Sequence, residues 1–90
     1  MLGKYGSIAR DFMKENHPKE FAKLSAPEVE IMFSKVNEQA KERMEVLTKE
    51  LLKKDPIKDP YNFMETIQHK NQIKAQAEEI LFDEFIYIKR

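Results

Sequence analysis

The 90-residue sequence has no cysteine, only two glycines, no excess charge of either sign and no long apolar run. Without cysteine there is no disulfide, no thiolate nucleophile and no Cys-based zinc or iron–sulfur site, so stability must come from packing. Glycine occurs only at Gly3 and Gly6, which leaves no place for a phosphate-binding loop, a dinucleotide fingerprint or a nucleophile elbow. Sixteen Lys plus Arg balance sixteen Asp plus Glu, and a chain without net charge is not drawn as a whole to DNA, RNA or an anionic membrane. No stretch approaches the roughly 18 apolar residues of a membrane span, and the opening residues lack the apolar segment of a signal peptide. These absences lead us to expect a cytoplasmic, non-enzymatic protein with no cofactor, no metal and no membrane partner. The residues that are present, 41% hydrophobic and 36% charged, carry enough apolar content to fold. The length suits one domain, residues 1–90.

Apolar spacing predicts an all-α fold. Tyr5, Ile8, Ala9 and Phe12 recur at helical intervals, predicting a helix over about 7–16 behind a glycine turn. His17-Pro18 bends the chain and starts a short helix over about 18–24, with Phe21 and Leu24 inward. Ser25-Ala26-Pro27-Glu28 is a capping box, and Leu24 and Val29 have the spacing of a hydrophobic staple. A long helix, 26–53, follows, with the stripe Val29, Met32 or Phe33, Val36, Ala40, Met44, Leu47 and Leu51. Two Asp-Pro steps at 55–60 make the next turn, with Asp59 as N-cap and Pro60 at N1 of a last helix over 60–88. Its stripe is Phe63, Ile67, Ile73, Ala77, Ile80, Leu81, Phe85 and Ile88. The expected architecture is a small helical bundle built on a long antiparallel αα-hairpin, with the short N-terminal helices on its open side. In that pairing Leu51 lies near Phe63, Val29 near Phe85 and Lys74 opposite Ala40.

The chemistry-bearing residues are few. Glu65 and His69 share one helix face at i, i+4, but no third ligand accompanies them, and a solvated pair is the simpler reading. Glu78-Glu79 and Asp83-Glu84 form an acidic face rather than two carboxylates across a cleft. Lys49, Lys53, Lys54 and Lys58 make a basic hairpin tip. From 49 to 74 six Lys stand against Glu50, Asp55, Asp59 and Glu65, an excess of only two, so nucleic-acid binding is expected to be weak. Lys70 and Lys74 interrupt the apolar stripe of the last helix and are candidates for pairing with Glu38, Glu42 or Glu45, or for receiving a partner's side chain. Phe82, Ile86 and Tyr87 add a second apolar face that one hairpin arm cannot bury. They are therefore candidate partner-binding residues, covered by the first helix or by another chain, a second copy included.

Four blocks in order carry a resemblance: Gly3-Lys4-Tyr5-Gly6, Val36-Asn37-Glu38-Gln39-Ala40-Lys41-Glu42-Arg43-Met44-Glu45, Ile73-Lys74-Ala75-Gln76-Ala77-Glu78-Glu79-Ile80 and Glu84-Phe85-Ile86-Tyr87. In these the chain resembles the TnpV family of small transposon-encoded proteins. The resemblance implies a bacterial mobile genetic element and carries over no catalytic residue. Joined to the balanced charge, it makes a protein-binding role the expected function. An inhibitor of a host defence nuclease, of the anti-CRISPR kind, and an accessory DNA-binding factor in transposition are the alternatives.

Overall fold

The computed structural model describes residues 2–90, and all regular structure among them is helical. The elements are α1 (Gly3–Asn16), α2 (Pro18–Ala22), α3 (Ala26–Lys54) and α4 (Phe63–Leu81), which continues as a π-helical turn over Phe82–Ile86. None of the described helices is long and apolar enough to cross a membrane. The molecule measures 52 × 21 × 18 Å with a radius of gyration of 16.2 Å. A compact chain of this length would have about 12 Å, so one end stands away from the packed body.

Most helix boundaries follow from local chemistry. The Ser25 hydroxyl accepts from the Glu28 amide at 3.3 Å and donates to the Glu28 carboxylate at 3.0 Å, closing the expected cap of α3. Phe33, Val36, Ala40, Met44 and Leu47 form the buried face of α3. They meet Tyr5, Ala9 and Met13 of α1 and Ala77, Leu81 and Ile86 from the last segment. At its far end, Lys53 and Lys54 sit where the helix dipole favours cations.

Three boundaries differ from expectation. α1 begins at Gly3 instead of about residue 7, because buried Asn37 of α3 serves as its cap. The Asn37 Oδ1 accepts from the amides of Tyr5 at 3.1 Å and Gly6 at 3.2 Å. Gly6 lies so close that a Cβ there would sit 2.5 Å from the Phe33 carbonyl oxygen, and Gly3 has φ +74°; both positions exclude a larger side chain.

α4 begins at Phe63 instead of residue 60. Asn62 accepts from the Glu65 amide at 3.1 Å and donates to its carboxylate at 3.2 Å, a reciprocal cap that outcompetes Asp59. Asp59 instead accepts from the Tyr61 amide at 3.1 Å through its side chain and from the Asn62 amide at 3.2 Å through its carbonyl. Pro60 is thereby left in a turn.

The last helix also stops short of residue 88. It widens into the π turn, which is closed by the Tyr87 amide on the Phe82 carbonyl at 2.8 Å. Arg90 then donates to the carbonyls of Ile86, at 3.0 Å, and Phe85.

The register of α3 and α4 is also corrected. Arg43 reaches Glu84 at 3.5 Å, and the His69 Nε2 lies 2.6 Å from the Asp55 carbonyl. Residue 84 is therefore level with 43, not with the Val29 end, and the end of α3 is level with 69, not with 63. The six residues from 63 to 68, about 9 Å of helix, extend past the end of α3, where the turn at 55–59 lies beside Glu65 and Thr66.

Candidate functional site

The overhang leaves large apolar side chains in water. Tyr61 is 96% exposed, Phe63 75%, Met64 69% and Ile67 41%. Phe63 and Ile67 were expected in the core stripe, but the buried face of α4 is Ile73, Ala77 and Leu81. Lys70 and Lys74 stand two turns before Ala77 and Leu81 and share their face, but this stretch of the face is exposed; with Phe63 and Ile67 it forms the strip Phe63, Ile67, Lys70, Lys74, spaced by four, three and four residues. No ion pair engages either lysine among the described residues, and the expected pairings with Glu38, Glu42 or Glu45 are not found there. Lys74 instead borders an open groove of about 400 Å³ with Met44, Glu45, Thr48 and Lys49, one to two turns of α3 away from the position opposite Ala40 that the sequence suggests.

The basic tip residues Lys49, Lys53, Lys54 and Lys58 are all exposed, but they do not form one patch. Lys49 edges the groove, Lys53 and Lys54 end α3, and Lys58 lines a smaller recess with Asp55, Asp59, Glu65 and His69. In that recess Glu65 serves the α4 cap, and His69, with its side chain 19% exposed, fastens α4 to the end of α3. These roles account for both members of the i, i+4 pair.

The second apolar face is mostly taken up within the chain. Ile86 is fully buried, and Phe82 is half-buried between Tyr5, at 6.2 Å between ring centroids, and Tyr87, at 5.4 Å. Tyr87 also meets Phe12 of α1 at 5.2 Å. Of the three expected partner-binding residues, only Tyr87 stays about half exposed. Beside this face the Glu78 carboxylate joins α4 to α1, accepting from Lys4 at 2.8 Å and from the Tyr5 hydroxyl at 3.0 Å. The Lys4 hydrogen bond holds Glu78 below the usual carboxylate range against the opposing effect of burial. Burial, with the Glu78 bond second, pushes the Tyr5 hydroxyl up to about 12. The acidic pairs are thus partly structural, Glu78 tying down α1 and Glu84 meeting Arg43.

A family model described as transposon-encoded protein TnpV matches residues 1–86, nearly the whole chain. The chain belongs to the TnpV family. No curated protein and no solved structure matches it. The TnpV match spans the glycine pair, its Asn37 seat and the overhanging start of α4 alike. It identifies a small transposon-encoded protein and assigns no site.

Sequence reasoning missed Tyr61 and Met64, the exposure of Phe63 and Ile67, and the groove over Met44 and Thr48. One local signal was available. Asn62-Phe63-Met64-Glu65 has the spacing of a reciprocal cap, and reading it as the helix start moves Phe63 into the first turn.

Proposed function

We propose that this TnpV-family protein is a non-enzymatic helical binding protein of a bacterial mobile element that acts by contacting another protein. In this reading α3 and α4 are the arms of an antiparallel hairpin whose tip is presented outward. The supporting observation is the run Tyr61, Phe63, Met64 and Ile67, large apolar side chains of which the first three are at least two-thirds exposed on one end of the molecule. Aromatic and Met side chains are the types enriched where proteins meet. A nuclease inhibitor that occludes a host protein is the form of this reading in which the partner belongs to the host. The DNA-binding alternative gains less support, because the tip lysines stand among Glu50, Asp55, Asp59 and Glu65. The test is affinity capture from a bacterial lysate with the native chain and with a Phe63→Glu/Met64→Glu variant. One protein retained by the native chain and lost from the variant, with melting unchanged, is the expected result. Retention of nucleic acid alone, or of nothing, would overturn it.

A further inference from the structure

The seam between α3 and α4 is covered at one end and open at the other. At the covered end the first turn of α1 lies over it, with Asn37 on one side and Glu78 on the other. The groove lined by Met44, Glu45, Thr48, Lys49 and Lys74 lies past the N-terminal end of α1, two turns and more beyond Asn37 along α3, and the strip Lys74, Lys70, Ile67, Phe63 extends beyond it on the α4 side. This stretch combines a buried apolar floor at Met44, exposed apolar side chains at Phe63 and Ile67, and cations at Lys49, Lys70 and Lys74. Among the described residues none of these three lysines is in a close ion pair; Lys74 acts on Glu78 one turn on only through its charge, and Glu45 is the one acid on the lining.

We propose that the open half of the α3–α4 seam seats an acidic amphipathic helix of a partner protein, continuing the line that α1 occupies over the other half. This rests on the protein-binding reading and adds the chemistry of the partner. A helix needs an apolar stripe for Met44, Ile67 and Phe63, and flanking carboxylates meet Lys49, Lys70 and Lys74. The excess of positive charge selects an acidic helix over a basic one, since like charges at an interface rim repel and slow encounter. A second copy of this chain fits less well. Its acidic segment, from Glu78 to Glu84, already spends Leu81 in its own core and Glu84 on Arg43.

The probe is a displayed library of helices about 18 residues long, roughly 27 Å, with a fixed leucine stripe and flanking positions varied among Glu, Gln and Lys. Selection against the full chain is expected to enrich Glu at the flanks. Amide NMR shifts on adding an enriched peptide should map to 44–52 and 63–74. Lys70→Glu/Lys74→Glu, which changes only exposed side chains, should weaken that peptide about tenfold or more and bind its Lys-flanked counterpart instead. Flanks that enrich without regard to charge, shifts mapping elsewhere, no enrichment, a chain dimer in place of the peptide complex, or stronger shifts with an oligothymidylate would each overturn the proposal. If the captured protein of the previous section is lost with Phe63→Glu/Met64→Glu but kept by Lys70→Glu/Lys74→Glu, the acidic-helix inference fails and protein binding stands. If the native chain captures no protein, the functional reading itself fails.

Discussion

At one end of α3, Phe33 and Asn37 lie under the first turn of α1 and are almost wholly removed from water. Beyond the other end, Phe63 and Met64 are as apolar as that core and Tyr61 nearly so, yet all three are at least two-thirds exposed. The two regions do not differ in hydrophobicity. They differ in whether a second helix can come close enough to cover them. Gly6 permits backbone contact at the first, whereas at the second the turn carries α4 past the end of α3. Apolar content alone therefore does not mark the core of this protein; the close approach of a second helix does.

The sharpest way to break this comparison is to truncate one side chain in each region. Leu81→Ala, in the fully buried face of α4, should cost about 3 kcal/mol through lost burial and the cavity left behind. Phe63→Ala should stay within about 0.5 kcal/mol despite removing more apolar surface. Denaturant melts of both variants check it, and equal losses would mean that the overhang is packed in solution.

Gly6→Ala tests the close approach directly. The added methyl meets a backbone oxygen that cannot rotate away, so α1 must shift off Asn37. A net loss of about 2 kcal/mol is expected, the overpacking cost exceeding the gain of about 1 kcal/mol that Ala brings to a helix. A stabilised variant would show that α1 docks less closely than the structure has it.

The smallest effect is expected at the tie between α1 and α4. The pKa of Glu78 is lowered in the folded state, so its contribution is present above the ordinary value of 4.5 and is lost as pH falls through the lower folded value. Lys4 is more than half exposed, which limits the effect to under about 1 kcal/mol. Native chain and Glu78→Gln should differ by that amount at neutral pH and converge as pH falls through the lowered folded-state value of Glu78. A gap that stays constant with pH would assign the difference to packing.

Local rules made much of this molecule legible. The Ser25–Glu28 cap, the break at His17-Pro18 and the buried stripe of α3 each depend on residues within a turn or two, and periodicity placed Met32 or Phe33, with Val36, Ala40, Met44 and Leu47, inward. The candidate site was legible only in part. Lys70 and Lys74 stood out as polar residues on the apolar stripe, and they do share the face of Ala77 and Leu81, but that face is buried at Ala77 and Leu81 and open at the two lysines. Phe82 and Ile86 were identified as a second apolar face, and that face was largely taken by α1.

The sequence by itself determined that the chain is helical, where α3 starts and which of its faces is buried, because capping and 3.6-residue periodicity act over a few neighbouring residues. The tertiary structure decided where α1 begins, because its cap is Asn37, more than 30 residues away. It also decided the register of α3 against α4, and with it which apolar residues are left in water. That register follows from how the turn at 55–62 folds back and from the contacts of Asp55 with His69 and Arg43 with Glu84, none of which any single helical pattern encodes.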